Sequence, residues 1–295
     1  MPVNGLRPMT ITSIVLLVLF VLILVGCGKA AVFSKPKEPD IPQPLVFRTD
    51  LFFGYYGGVL AETIDHVNIH FAGTWFGQAT QLSEVIAAHN AGVPIILDVA
   101  DQMSIPFDAP SAAFRLRERL RQLSDIGALG SIVALYFDEP NHNHRLTDVE
   151  VEDMAEVMRS VSGEFGVFPK IMMSYSKNGT FPGIAWLDWI ALNSYDAGTE
   201  MITNGDLAVI KALKLPHQKL FLSIAGCDPW RVNPTQFFNM AEQDRDIVGI
   251  MVFAWSGGDE SGIANGWGKG VRSNGMASTY SAVGLKIKYA GRAGK

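Results

Sequence analysis

The sequence predicts an α/β protein built as a single parallel (β/α)8 TIM barrel, preceded by a short leader and tether. Three observations carry that reading. From Val46 onward, short apolar runs alternate with helical segments, and the apolar runs count to eight. The helical segments carry their own start and stop signals. The first strand lacks the glycine-rich phosphate loop of a dinucleotide-binding open sheet, because Gly57-Gly58 alone has the wrong spacing. A doubly wound open sheet is the alternative topology, since the stretch from Lys177 to Leu187, with Gly179, Pro182 and Gly183, is too broken for a full helix.

Before the barrel, residues 1–26 read as a leader. Arg7 is its only charged side chain, and Ile11 to Val25 is a nearly unbroken apolar run of signal-peptide length. Leu24-Val25-Gly26-Cys27 resembles a bacterial lipobox, which implies cleavage before Cys27, acylation of that cysteine (palmitate among the acyl chains), and a membrane anchor outside the cytoplasm. Gly28 after the cysteine resembles outer-membrane lipoproteins. The alternative is an uncleaved signal anchor, because the run approaches the shortest spanning lengths. Residues 27–45 form the lipidated end and a tether, in which Ser34 to Pro44 is rich in proline and charge and favours an extended chain. Only Cys227 then remains, so no intramolecular disulfide is expected, and it reads as a buried filler.

The barrel domain spans residues 46–295. Its expected strands are Leu51 to Tyr56, His66 to Phe71, Pro94 to Val99, Ile132 to Asp138, Lys170 to Ser174, Trp189 to Ser194, Lys219 to Ile224 and Val248 to Trp255. Leu82, Val85 and Ile86 form a helical stripe before the third strand, closed by Gly92. Thr147-Asp148-Val149-Glu150 is a capping box, followed by Val151, Met154, Val157, Met158 and Val161 at helical spacing. Asn233-Pro234 supplies a cap and a first-turn proline ahead of Phe237, Phe238 and Ala241. In the second strand His66, Asn68 and His70 alternate with Val67, Ile69 and Phe71, and the polar set is expected to face the barrel interior.

A net charge of −5, with no basic block, argues against nucleic acid as the partner. In a (β/α)8 barrel the C-terminal strand ends share one face, where function gathers. The fourth strand, Ala134-Leu135-Tyr136-Phe137, runs straight into Asp138-Glu139-Pro140-Asn141. Around these acids the same face should hold Tyr55, Tyr56, His70, Trp75, Asp98, Tyr175, Asn193, Tyr195, Asp196, Asp228, Trp230 and Trp255. Aromatic faces stack on sugar rings, amides and acids bind hydroxyls, and paired carboxyls cleave glycosidic bonds. The expected catalytic set is therefore Glu139 as general acid with Asp138, Asp196 and Asp228. The expected substrate contacts are Tyr55, His70, Trp75, Asp98, Asn141, Asn193, Tyr195, Trp230 and Trp255. No metal, cofactor or obligate protein partner is expected, although His70, Asp98, Asp138, His142 and His144 leave a metal-dependent hydrolase as an alternative. A barrel that binds glycan without cutting it is another.

Most of the mature chain is similar to family 18 glycoside hydrolases, the chitinase-like (β/α)8 enzymes. Phe53-Gly54-Tyr55-Tyr56 resembles their first strand, His66 to Phe71 their second, and Ala91 to Leu97 the approach to their third. Ala191 to Asp196 resembles their sixth-strand Met-x-Tyr-Asp segment, and Gly249 to Trp255 their last strand with its floor tryptophan. The resemblance implies a polysaccharide substrate and an acid at Glu139. It departs at the catalytic strand, where Phe137, Leu135 and Ile132 stand in place of that family's aspartates. Asp138-Glu139-Pro140 also resembles the Asn-Glu-Pro acid/base of the large clan of retaining β-glycosidases, while Leu220 to Gly226 carries no counterpart of their nucleophilic glutamate.

Overall fold

A computed structural model describes residues 48–74, 77–176, 185–194, 205–228, 231–258 and 268–290. Eight parallel strands, β1 (Phe52–Tyr56), β2 (His70–Ala72), β3 (Ile95–Asp98), β4 (Ile132–Phe137), β5 (Lys170–Ser176), β6 (Trp189–Ser194), β7 (Lys219–Ala225) and β8 (Ile247–Phe253), form one sheet in which sequence neighbours pair from β2 to β8, β8 returns to pair with β1, and a seam lies between β1 and β2. Between them lie α1 (Leu60–Thr63), α2 (Gln78–Asn90), α3 (Ala100–Met103), α4 (Ala109–Asp125), α5 (Asp148–Glu164), α6 (Asp206–Leu213), α7 (Pro234–Gln243) and α8 (Ala277–Lys288). Strand order and alternation make this a (β/α)8 barrel and dispose of the open-sheet alternative.

Local chemistry sets the element boundaries as the sequence predicts. Thr147 and Glu150 complete a reciprocal capping box at the start of α5, and Asn233 caps α7 ahead of Pro234. Gly92 takes φ 67° just after α2, a left-handed turn that glycine adopts without strain. Asp108 adds a cap at α4 that the periodicity did not single out.

Strand β2 is shorter than expected, beginning at His70 rather than His66, and its polar residues do not face inward. Ile69 and Phe71 join the interior cluster instead. Asn68 lies in the seam between β1 and β2, where its side chain replaces strand pairing. The Phe53 N–H donates to Asn68 Oδ1 at 2.7 Å, and Asn68 Nδ2 donates to the Leu51 carbonyl at 2.8 Å. The Asn68 N–H also donates to the Phe53 carbonyl at 3.2 Å, so one asparagine bridges the seam through both its backbone and its side chain. Asn68→Ala would leave both backbone groups unpaired, and we expect it to lower unfolding stability by about 1–3 kcal/mol, read from urea midpoints.

The core has two parts. One cluster lies between sheet and helices; the other fills the barrel with Ile69, Phe71, Ile96, Ala134, Tyr136, Met172, Ala191, Phe221, Met251 and Phe253. Its lower end is packed by Phe52, Trp189 and Phe221, with ring centroids 5.0–6.2 Å apart. Phe221 fits because its register partner on β8 is Gly249, where an added Cβ would come within 2.2 Å of the ring. Below the barrel Arg48 donates to the carbonyls of Ala241, Asp244 and Ile247. With that end sealed, the open face lies at the C-terminal strand ends.

Candidate active site

Side chains alternate across a strand, so in β4 Ala134 and Tyr136 point into the barrel while Leu135 and Phe137 pack under the helices. Asp138 continues the inward set. Tyr136 donates its hydroxyl to Asp138 Oδ1 at 2.7 Å, and Ser174, inward on β5, donates to the same oxygen. Alternation alone would turn Glu139 outward. Instead it sits past the end of the strand with φ 39°, in the left-handed region rarely entered by a branched-free acid before proline. That twist brings both acids into the mouth.

Three bonds hold the unusual backbone. The Glu139 N–H donates to Ser174 Oγ at 2.9 Å, the Asn143 N–H donates to the Glu139 carbonyl at 2.9 Å, and Asn193 Nδ2 on β6 donates to Glu139 Oε1 at 2.5 Å. Ser174 therefore serves both acids at once. Ser174→Ala is expected to lower stability by about 1–3 kcal/mol in urea, because a buried N–H and a carboxylate oxygen lose a partner together.

Asp98 ends β3 on the inward face. Gln81 of α2 donates to the carbonyls of Ala72 and Asp98 at 2.9 and 2.7 Å and is itself held by Arg119 of α4, which locks the helices to these strand ends. Asp98 accepts from the Tyr56 hydroxyl at 2.7 Å and the Ala100 N–H at 2.9 Å. At 2% exposure, burial pushes its carboxyl up to about 6, helped by the charge of Asp138 and opposed by those hydrogen bonds. Glu139, 6% exposed, is also raised, by burial first and by Asp138 second; Asn193, His142 and Asn143 pull it back.

Several expected site residues turn elsewhere, each for a reason of parity or pairing. His70 faces the helix layer, with Nε2 3.2 Å from Glu84 Oε2 on α2. Tyr55 also points outward, its ring 4.8 Å from Trp255 and 5.3 Å from Phe53. Trp255 is therefore no floor: it packs outside the barrel and donates Nε1 to Glu62 on α1 at 2.6 Å. Tyr175 lies in the same outer cluster, whereas its neighbour Ser174 is the inward residue. Asn141 braces its own loop, donating to the Leu146 carbonyl at 3.0 Å and to Asp148 at 3.2 Å. Asp228 is ion-paired with Arg231 at 2.5 Å. Asp98, Asp138, Glu139 and Asn193 do converge. Trp75, Tyr195, Asp196 and Trp230, with Cys27, lie outside the described residues.

Tyr56, expected on this face, bonds directly to Asp98, while Ser174 is the contact of the acids that the sequence reading missed. Among the described residues, the aromatic rings nearest the acids are Tyr56, Tyr136, Phe71 and Phe253, with ring centroids 5.9–6.4 Å apart. Tyr136 was detectable, because it stands two residues before Asp138 and so shares its face. Among the described residues no group of three His, Cys, Asp or Glu side chains is arranged to hold a metal ion. His144 packs against Phe137 at 4.9 Å, away from the interior set.

No protein-family model matches the sequence, and no curated protein is significantly similar to it. Solved structures share the barrel. A GH113 beta-1,4-mannanase superposes with TM-score 0.50 at 10% identity, over 80% of this chain and 98% of its own. A GH2 beta-galacturonidase from Eisenbergiella tayi, bound to galacturonate, gives 0.51 at 10% identity over 83% of this chain and 52% of its own. Concanavalin B gives 0.50 at 15% identity over 81% and 99%. At such identities the likeness establishes the fold.

Proposed function

We propose that this chain is a glycoside hydrolase that cleaves a polysaccharide outside the cytoplasm, with Glu139 as the general acid. The observation that carries the reading is the carboxyl of Glu139, buried at the open end of the barrel, raised from its ordinary value by that burial, and aimed by Asn193 and Ser174. A raised carboxyl keeps its proton closer to neutral pH, which protonation of a glycosidic oxygen requires. Two of the solved structures with this barrel are glycosidases, a mannanase and a galacturonidase, which supports the assignment without supplying its residues.

The chemistry draws on both acids of β4. Glu139 transfers its proton to the leaving oxygen as the glycosidic bond breaks. Asp138, with both of its hydrogen bonds on Oδ1, presents Oδ2 to the positive charge that develops at the anomeric carbon. Water then adds its oxygen to the anomeric carbon and gives its proton to the Glu139 carboxylate, which restores the acid. Asp228, tied to Arg231, is a weaker choice of second carboxylate, and Asp196 stays a candidate from the sequence alone. The reading includes a lipid anchor at Cys27 after removal of residues 1–26, a tether to residue 45, and residence at the outer membrane. Incubation of the full chain with a panel of neutral, amino and acidic polysaccharides, scored as new reducing ends, tests the activity; a panel left wholly intact contradicts it.

A further inference from the structure

Resting on the glycosidase reading above, one feature of the same mouth narrows the substrate. Asn193 spends its Nδ2 on Glu139, yet its Oδ1 is buried without a partner in a residue only 5% exposed. Its register partner on β7 is Ser223, an inward residue at 0% exposure whose hydroxyl also lacks a partner. Buried polar atoms left unpaired are rare and costly, so two on adjacent strands mark a place where a ligand supplies hydrogen bonds. At the end of β4, two strands from Asn193, Asp138 Oδ2 accepts no bond among the described residues, since both hydroxyls that Asp138 accepts fall on Oδ1. The three free positions are all able to accept.

The charge balance points the same way. Among the described residues no lysine or arginine pairs with Asp98, Asp138 or Glu139, and Arg231 and Arg272 are bound to Asp228 and Glu62. A sugar carboxylate entering this mouth would meet like charge in a poorly solvated site, whereas a cation would relieve it. An ammonium group offers three donors and no acceptor, the complement of three acceptors of which one belongs to a carboxylate that no described lysine or arginine pairs. We propose that the mouth of the barrel seats a glycan unit carrying a free, protonated amino group, held by Asp138 Oδ2, Asn193 Oδ1 and Ser223 Oγ, with Glu139 left to act on the glycosidic oxygen.

The test is calorimetric binding of the full wild-type chain at pH 5.5 to glucosamine hexamers in β-1,4 and β-1,6 linkage, to their N-acetylated counterparts, and to an oligogalacturonate. The expected result is that an amine hexamer binds at least tenfold more tightly than its acetylated form in 50 mM salt, that the gap narrows in 300 mM salt as screening increases, and that the galacturonate does not bind. Asp138→Asn should erase the preference. If that variant does not fold, the comparison of ligands on the wild-type chain stands by itself. Equal or tighter binding of the acetylated hexamers, or any binding of the galacturonate, overturns the proposal. Should an acetylated or neutral glycan be bound and cleaved instead, the amine inference falls and the hydrolase survives; binding of no glycan at all overturns both.

Discussion

Glu139→Gln is expected to lower turnover of a cleavable glycan by roughly 10²–10⁴-fold, the usual contribution of a positioned proton donor. Glutamine keeps the shape of the side chain and can still accept from Asn193, so substrate binding should stay within a few-fold of wild type. A fall in kcat with little change in KM is the signature of an interaction made in the transition state. The pH profile supplies a second readout. Burial and the charge of Asp138 both raise the Glu139 carboxyl, so the alkaline limb of activity should lie above that of an exposed glutamate. Asp138→Asn removes one of the two causes and should shift that limb toward lower pH. Unaltered kcat in Glu139→Gln would remove this residue from the chemistry.

Asp98→Asn should make the protein more stable at neutral pH, by about 3 kcal/mol, and leave it nearly unchanged near pH 3.5. Asp98 holds its proton in the folded state up to about 6, against about 3.9 for an unfolded aspartate. Because the folded state binds that proton more tightly, ionising it costs stability. The cost is absent below the unfolded value, grows as pH rises between the two, and is complete above the folded value. Two units of displacement correspond to about 3 kcal/mol. Asparagine removes the buried charge while still accepting from the Ala100 N–H, and the Tyr56 hydroxyl can reverse to accept from the new amide. Urea denaturation at both pH values measures the difference. Equal destabilisation at both would mean that Asp98 contributes through its bonds alone. A protein that keeps so costly a charge in its mouth is trading stability for a site.

The barrel itself was written plainly in the chain. Strand and helix alternation gave all eight strands to within a few residues, and the caps at Thr147 and Asn233 lie where local chemistry demands them. What sequence could not fix was which of two adjacent residues faces inward. Tyr55 was chosen over Tyr56, His70 over the position beside it, and Tyr175 over Ser174, and in each case the inward residue is the neighbour. A shift of one residue inverts every side chain of a strand, and apolar residues on both faces hide the parity. Strand β2 misled most, because its alternating polar set includes Asn68, whose amide is used in the seam.

The two acids of β4 illustrate the opposite limit. Aligning a catalytic motif on Glu139 placed its expected aspartates at Phe137 and Leu135, both of which face the helices, whereas the inward row is Ala134, Tyr136 and Asp138. Glu139 reaches the mouth through a left-handed backbone that no pattern of hydrophobicity encodes. Its partners come from β5 and β6, 35 and 54 residues away in sequence. Asn193 was legible because it ends a strand as an amide; Ser174, a small hydroxyl within an apolar run, was not.

Whether the mouth cuts glycan or only holds it is decided most directly by following one bound oligosaccharide through prolonged incubation with the wild-type chain, with binding measured calorimetrically and new reducing ends measured by NMR in the same sample. A bound oligosaccharide converted to shorter chains with new reducing ends is the predicted result. One that binds with saturation and is recovered intact would contradict the assignment of Glu139 as a general acid.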